Sequence, residues 1–224
     1  MSPDPMSLSR RQLLRATLAV SGLSLCGPVM SVSAQTQLRI TPQQVLGPFY
    51  PVLRSGNPGV DLTSIQGRAG RAQGQTVHLM GRVLNLRGEP VRGAKVELWQ
   101  ANAHGRYIHP KDTNPAPLDP NFEGYGVQLT DAEGRYRFKT IKPGAYPVGV
   151  RNWIRPPHIH FDVTGRIDRI VTQMYFDGEA LNEKDEFLQQ VGCKECLTAK
   201  LAPPSKDVEP DSLMAVWDIV LARG

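Results

Sequence analysis

Residues 135–140 read RYRFKT, and this short stretch decides the fold class that the sequence predicts. Successive side chains of a β-strand point to opposite faces of the sheet. Tyr136 and Phe138 therefore share one face, and the three basic residues between and beside them share the other. An apolar face opposite a charged face is typical of a sheet that packs on a core on one side and meets water on the other.

Comparable runs recur from residue 76 onward at intervals of about ten residues, separated by turns rich in Gly, Pro and Asp. The runs are TVHLMGRVLN, AKVELWQ, YGVQLT, AYPVGVRNW, HIHFDV, IVTQMYF and MAVWDIVL. Short strands at this spacing predict an all-β fold, an antiparallel β-sandwich. We also expect a long irregular N-terminal segment up to about residue 75, one short helix within 182–192 and a surface loop over 198–212.

The first 34 residues have the order of an export signal. SRRQLLR at 9–15 contains the pair Arg10 and Arg11, and an uncharged apolar stretch follows that ends in small residues. This order predicts a twin-arginine signal peptide at 1–34 and a single domain at 35–224, exported to the periplasm. An ordinary secretory signal and a membrane anchor are the alternatives.

Composition narrows the range of partners. The chain has 224 residues, 40% of them hydrophobic, and a formal net charge of +5. Its basic residues are scattered rather than clustered, so nucleic-acid binding has little support, whereas a modest positive charge suits a small anionic substrate. Cys193 and Cys196, in CKEC, are the only cysteines beyond the predicted signal, and they form either a local disulfide or two free thiols.

Two histidines stand out within the predicted strand HIHFDV. His158 and His160 are two positions apart, so their imidazoles point to the same side, roughly 6–7 Å apart at their β-carbons. Such a pair either converges on one metal ion or makes ordinary hydrogen bonds as a partly buried pair. Asp162 lies on the same face and is a possible third ligand.

Two tyrosines occupy turns rich in Gly and Pro, where we expect exposed side chains. They are Tyr107 in NAHGRYIHP and Tyr146 in KPGAYP. A phenol titrates near pH 10, so a strongly charged cation is needed to hold it as a phenolate at neutral pH. Ferric iron suits such hard anionic oxygen donors, whereas zinc and copper favour imidazole and thiolate.

Taken together, these segments resemble the intradiol ring-cleavage dioxygenases, and within that family the protocatechuate branch. The resemblance runs from about residue 46 to 220. The matching segments are LGPFYP, VELWQANAHGRYIHP, APLDPNFEGYG, LTDAEGRYRFKTIKPGAYP, RPPHIHF, TQMYFDGE and WDIVL. The resemblance implies a β-sandwich enzyme that opens the ring of a catechol-type substrate between its hydroxyls with O2, giving a muconate-type diacid.

The resemblance also implies a cofactor and a set of site residues. The cofactor is a non-haem ferric ion, Fe(3+), and the tyrosine in the P-G-x-Y-P turn is the ligand that the substrate displaces and that accepts a proton. The implied metal ligands are Tyr107, Tyr146, His158 and His160, and the implied catalytic residues are Arg155, Tyr146 and Gln173.

Some features depart from this pattern. The spacing from Tyr146 to His158 is one residue shorter than we expect for the protocatechuate branch, and the predicted export signal is unusual there. In that branch a homologous second subunit completes the pocket, so we expect a homo- or hetero-oligomer. Two other interpretations stay open: an exported transthyretin-like sandwich without catalysis, and an iron-binding member that has lost turnover.

Overall fold

The structure, a computed structural model, describes residues 38–52, 59–149 and 153–224, and the described residues belong to one compact unit. The predicted signal peptide at 1–34 and its boundary with the domain lie outside the described residues, so both stay predictions. Within the described ranges, no helix has the length and the apolar character needed to cross a membrane.

Nearly all regular structure is β, as the alternating runs predict. The strands are β1 Thr76–Asn85, β2 Lys95–Trp99, β3 Tyr125–Leu129, β4 Arg135–Ile141, β5 Tyr146–Val148, β6 Trp153–Arg155, β7 His158–Thr164, β8 Arg169–Phe176, β9 Thr198–Ala199, β10 Leu201–Ala202, β11 Leu213–Val216 and β12 Ile219–Leu221. The closing run MAVWDIVL is therefore two strands rather than one, because the backbone leaves the ladder between Val216 and Ile219.

Two five-stranded sheets form the sandwich, and a small hairpin of β5 and β6 lies apart from them. The first sheet has the order β10-β11-β1-β12, and β4 also pairs with β1; the second has the order β3-β2-β7-β8-β9. The prediction of an all-β sandwich is confirmed. Its sheets are mixed rather than purely antiparallel, since β1 pairs in parallel with β11 and β12, and β8 with β9.

The core lies between the inner faces of the two sheets. Tyr136 and Phe138 of β4 are buried while Arg135 and Arg137 are exposed, which confirms the alternation predicted from RYRFKT. Val96 and Leu98 of β2 and Ile159, Phe161 and Val163 of β7 join the same apolar cluster from the second sheet. Burial of this continuous apolar surface is the main favourable contribution to folding.

The predicted helix within 182–192 is wrong in its extent. A 3₁₀ turn at Ala180–Lys184 is followed by a single-turn helix, α1, at Glu186–Gln189. Asp185 separates them because its backbone is extended and its side chain accepts a hydrogen bond from the N–H of Leu188 at 2.9 Å, which caps α1. A second 3₁₀ turn spans Glu195–Leu197.

The predicted loop over 198–212 is also only partly correct. Its first residues form the short strands β9 and β10, which pair with the ends of β8 and β11. The irregular course begins at Pro203, where proline cannot donate to a ladder. The choice between a disulfide and free thiols is settled by a bond between Cys193 and Cys196, whose α-carbons are 5.3 Å apart.

The irregular segment 38–52 is held to both sheets by hydrogen bonds of its backbone. The N–H of Thr41 donates to the carbonyl of Val220 at 3.0 Å, and that of Gln44 donates to Val171 at 2.8 Å. The hydroxyl of Thr172 donates to the carbonyl of Pro42 at 2.8 Å. The segment therefore passes from β12 of the first sheet to β8 of the second sheet.

Candidate metal centre

Strand β7 is buried on both faces, and the histidine pair lies on the face that points away from the sandwich core. Ile159 and Phe161 point into the core, so His158 and His160 point to the outer face of the second sheet. A second, smaller apolar cluster covers that face and contains Trp99, Tyr107 and Tyr146, among others. The site therefore lies in a layer outside the second sheet, between that sheet and the loops that cover it.

The two imidazoles converge as predicted. Nε2 of His158 lies 3.2 Å from Nε2 of His160. Nδ1 of His158 lies 2.8 Å from the carbonyl oxygen of Pro156, and since a carbonyl only accepts, Nδ1 carries the proton and Nε2 holds a lone pair. The ring of His160 stacks on Trp99 with a centroid separation of 4.9 Å, which fixes its orientation.

Both candidate tyrosine ligands reach this pair, but neither is exposed as we expected. Tyr107 is 3% exposed and Tyr146 is 6% exposed, because the second apolar cluster encloses both rings. The hydroxyl of Tyr146 lies 3.4 Å from Nε2 of His158. The ring of Tyr107 is edge-on to that of Tyr146 at 5.4 Å and to that of His160 at 6.2 Å between centroids.

Two glycines allow the tyrosine-bearing loops to touch, and each lies two residues before a tyrosine. A β-carbon on Gly144 would lie 2.5 Å from the carbonyl oxygen of Ala103 and 2.5 Å from the backbone nitrogen of Gly105. Gly105 has a φ of +78° and packs against the backbone of Ala145. The N–H of Gly144 donates to the carbonyl of Asn102 at 2.9 Å. Sequence reasoning missed both glycines, although the pattern Gly-x-Tyr occurs at each tyrosine.

The turn carrying Tyr107 is further fixed by a buried carboxylate. Asp112 accepts hydrogen bonds from the N–H of Tyr107 at 2.7 Å and from the N–H of Asn114 at 2.9 Å. Gly47, in LGPFYP, has a φ of +74°, and a β-carbon there would lie 3.1 Å from Cε1 of His160. The backbone of the N-terminal segment therefore approaches the His160 ring more closely than a side chain would allow.

Burial determines the protonation of all four groups. Burial and the nearby Arg155 charge lower the pKa of His158 well below its usual value and that of His160 to about 3, so both imidazoles are neutral and can act as ligands. Burial raises the pKa of both phenols, for Tyr107 also through its closeness to Tyr146. Without a cation beside them, both tyrosines stay protonated at neutral pH.

Arg155 and Gln173 lie beside the histidine pair, as the resemblance implies. Gln173 pairs with His160 across the strands, and its side-chain oxygen accepts from Nη2 of Arg155 at 2.8 Å. Its side-chain nitrogen donates to the carbonyl of Val45 at 2.8 Å, which anchors the N-terminal segment over the site. Nε of Arg155 donates to the carboxylate of Asp185 at 2.6 Å.

Asp162 does not join the histidines as a third ligand. Its two carboxylate oxygens accept from Arg169, at 2.9 Å from Nε and 2.7 Å from Nη2. Across residues 38–52, 59–149 and 153–224, no three His, Cys, Asp or Glu side chains gather as a metal site. Of the residues singled out in the sequence as metal ligands, the two tyrosines are the ones whose oxygens lie beside the histidine pair.

A cavity of about 650 Å³ opens at this cluster. Its size is within the range of roughly 300–1,000 Å³ that is usual for small-molecule sites. Aromatic and apolar side chains make up much of the wall, including Phe49, Val148 and Trp153. Tyr146, Arg155, His160 and Lys111 also line it.

The donor set fits a ferric ion better than a softer metal. Two neutral imidazoles and two phenols meet in one buried cluster, and the hydroxyl of Tyr107, although near that of Tyr146, has no hydrogen-bond partner within 3.5 Å among the described residues. A buried hydroxyl is rarely left without a partner, so this oxygen is suited to a ligand that the protein atoms do not supply. Phenols whose pKa is raised by burial become donors only to a cation of high charge, as iron in its ferric state is.

The chain is similar to known proteins over most of its length. The family model described as Dioxygenase matches residues 46–223. The chain is 51% identical over 145 residues to the protocatechuate 3,4-dioxygenase beta chain of Burkholderia cepacia, which covers 63% of this chain and 62% of that one. It is 32% identical over 154 residues to catechol 1,2-dioxygenase 1 of Acinetobacter lwoffii, covering 63% of this chain and 48% of that one.

A solved structure shows the same architecture. The crystal structure of catechol 1,2-dioxygenase from Pseudomonas arvilla C-1 superimposes with a TM-score of 0.63 and 26% identity, covering 82% of this chain and 62% of that one. The match therefore spans less than two thirds of the length of each of these three relatives.

Proposed function

The chain belongs to the intradiol ring-cleavage dioxygenase family, and from this membership we propose that it cleaves the ring of a catechol-type substrate between its two hydroxyls. Both atoms of O2 enter the product, a muconate-type diacid, so one catechol and one O2 account for all its atoms. The single observation that carries the proposal is the buried cluster of Tyr107, Tyr146, His158 and His160 at the cavity beside Arg155.

Under this proposal the two phenols and two imidazoles hold a non-haem ferric ion. When bound, that ion supplies the Lewis acidity that keeps the phenols and the catechol ionised and makes the ring reactive toward O2. A spacer module of the transthyretin-like kind has no need of these four groups in one buried cluster. Without a metal ion to bind, burying two phenols and two imidazoles only adds a desolvation cost.

The positions of the two tyrosines support different roles. Tyr146 lines the cavity, whereas Tyr107 lies behind it with its ring 4.8 Å from that of Phe49. A substrate entering the cavity therefore meets Tyr146 first. We assign to the oxygen of Tyr146 the uptake of one catechol proton, and to Tyr107 a permanent place at the metal.

Arg155 is placed to stabilise charge on the substrate. Its side chain is 4% exposed and lines the cavity, and its guanidinium stacks over Phe187 at 4.7 Å from the ring centroid. A fixed cation in a partly dry cavity stabilises negative charge that develops on the substrate oxygens or ring. Gln173 holds this guanidinium by accepting its hydrogen bond.

We place the substrate among catechols that carry an anionic substituent, such as protocatechuate. Lys111 lines the same cavity and is exposed at its wall, and it has no salt bridge with the described residues. The Burkholderia cepacia relative is named for protocatechuate, whereas the Acinetobacter lwoffii relative is named for catechol. An ammonium group at the wall favours the carboxylated substrate of the two.

The test is oxygen uptake and product analysis with iron-loaded protein and a panel of protocatechuate, catechol and hydroxyquinol. We expect ring opening between the hydroxyls and a visible absorption band from phenolate-to-iron charge transfer. A coloured protein that opens none of the three rings is the inactive iron-binding member. Opening beside the hydroxyls, or a colourless protein that binds no iron, contradicts the proposal.

Two proposals about context accompany this one. We propose that the chain is exported by the twin-arginine route, and replacing both Arg10 and Arg11 with Lys should retain the protein in the cytoplasm.

We propose also that it assembles with itself or with a homologous subunit, as the beta-chain designation of the Burkholderia cepacia relative suggests. Light scattering tests the assembly, on the exported protein purified alone and on the protein copurified with a homologous subunit.

A further inference from the structure

We propose that Asp185 is the positioning residue for Arg155, and that its carboxylate aims the guanidinium into the substrate cavity. The inference rests on the proposed function, since it concerns the arginine of that same site. Asp185 is 0% exposed and lies 30 positions from Arg155 in the chain, in the break between the 3₁₀ turn and α1.

The hydrogen bonds of the guanidinium are divided so that one edge stays free. Nε donates to Oδ2 of Asp185 at 2.6 Å. Nη2 donates to Gln173 at 2.8 Å and to the hydroxyl of Tyr175 at 2.9 Å, which uses both of its protons. Nη1 makes no hydrogen bond with the described residues. The two protons of Nη1 are therefore those available to a ligand in the cavity.

The carboxylate of Asp185 is in turn fixed on its other oxygen. Oδ1 accepts from the N–H of Leu188 at 2.9 Å, the cap of α1, and lies 3.2 Å from the hydroxyl of Tyr175. A planar carboxylate held at one oxygen by the backbone presents the second oxygen in a fixed direction. Because Nε lies on one side of a rigid planar fork, a partner fixed at Nε also fixes the plane in which Nη1 points.

This arrangement also explains why the segment 180–189 is broken. A continuous helix would place residue 185 inside a turn, where its side chain could not cap α1 and reach Arg155 at once. The break thus lets Asp185 accept hydrogen bonds both from Arg155 and from the first turn of α1. The electrostatic consequence is a neutral buried pair, in which removing one partner leaves an uncompensated charge.

The deciding experiment combines Asp185→Asn with Arg155→Met in iron-loaded protein. Asparagine has one acceptor oxygen in place of two, so it cannot serve both Leu188 and Arg155. We expect Asp185→Asn to lower kcat for the preferred catechol by about 10- to 100-fold, as a misplaced catalytic group does. Iron content and the visible absorption should stay unchanged, because the four metal ligands are untouched.

A positioning role makes the two substitutions non-additive. In the Arg155→Met background we expect Asp185→Asn to lower kcat by less than about 3-fold further, since the group it aims is already gone. Asp119→Asn is the matched control, because Asp119 is 3% exposed and accepts only from backbone N–H groups remote from the cavity. It should leave kcat unchanged.

A second measurement separates this inference from the proposed function. Anaerobic titration with 4-nitrocatechol, read by absorption, reports binding without turnover, and a crystal structure of Asp185→Asn reports where the guanidinium lies. We expect weaker binding and a rotated Arg155, even in a protein that turns over no catechol. Equal losses in both backgrounds, or an unmoved guanidinium with unchanged binding, overturn the assignment.

Discussion

At the scale of the single residue, the phenol of Tyr107 is the most informative group. It is buried, it has no hydrogen-bond partner within 3.5 Å among the described residues, and it faces both Tyr146 and His160. Removing only its oxygen leaves the ring packing against Phe49 intact. The oxygen can therefore be tested separately from the fold.

We predict that Tyr107→Phe weakens iron binding by at least about 10-fold, because one oxygen donor is lost. Competition with a coloured chelator measures the affinity, and the visible band should weaken in parallel. Tyr136→Phe is the control, since it removes a buried hydroxyl that donates to the carbonyl of Trp217 at 2.6 Å in the core. If Tyr107→Phe keeps wild-type affinity and colour, Tyr107 is not a ligand.

Lys111 carries a prediction about selectivity. If its ammonium attracts a carboxylate on the substrate, Lys111→Met should raise KM for protocatechuate about 5-fold, the effect of an exposed ion pair worth about 1 kcal/mol. KM for unsubstituted catechol should not change, and Lys111→Arg should restore the preference. An equal rise in KM for both substrates would show that Lys111 affects the shape of the cavity instead.

Much of the proposed metal site can be predicted from the sequence, but few of the residues that hold its side chains in place can. Period-two alternation alone brings His158 and His160 together, and the resemblance selects the tyrosines and Arg155. Sequence reasoning expected exposed tyrosines, because turns rich in Gly and Pro usually lie at the surface. It also missed Asp185, since a contact across 30 positions leaves no local pattern beyond an aspartate that precedes a helical turn.

At the scale of the element, the contact between two loops brings the tyrosines within reach of each other. The backbone of Gly144 lies against Ala103 and Gly105 with no room for a β-carbon. The chain around Gly105 and Gly144 is irregular, although Tyr146 begins β5, so the relative position of the two tyrosines depends on this contact and on the hydrogen bond from the N–H of Gly144 to the carbonyl of Asn102. The distance between the two tyrosines therefore depends on that approach.

Gly144→Ala should therefore separate the loops and lower iron affinity, with kcat falling along with occupancy. The methyl group meets two backbone atoms at 2.5 Å, which no side-chain rotation relieves. Gly192→Ala is the matched control because nothing lies within 4 Å of its β-carbon position. Iron content by elemental analysis and thermal unfolding are the measurements. Normal iron content in Gly144→Ala would disprove the need for close loop contact.

The strands were more predictable than the segments between them. Each run of alternating residues from 76 to 176 contains a strand, because one buried face imposes a pattern that the chain itself displays. The parallel pairings of β11 and β12 with β1 and of β9 with β8 were not foreseen, since pairing direction depends on distant partners. The short helix α1 was overestimated because Asp185 and its long-range bond interrupt a helical pattern.

At the scale of the whole molecule, the metal should stabilise the fold. A ligand that binds only the folded state adds about 2.7 kcal/mol to the free energy of unfolding when free metal is at 100 times its dissociation constant. For a chain of this size that is a rise of roughly 5–10 °C in Tm. Calorimetry on metal-free and ferric-loaded protein measures it, and magnesium should give no shift. An unchanged Tm on iron loading would count against a site built from groups on both loops and β7.

The placement of the histidines on the outer face of the second sheet has a consequence for how such a protein can change. Interior side chains of the sandwich and the cavity lining belong to separate layers that share only the backbone of the strands between them. A laboratory selection for new substrates can therefore randomise the covering segments 45–52 and 108–115, with Gly47 and Asp112 kept, while the hydrophobic interior stays constant. Selection for thermal stability can change the interior side chains without changing the residues that line the cavity.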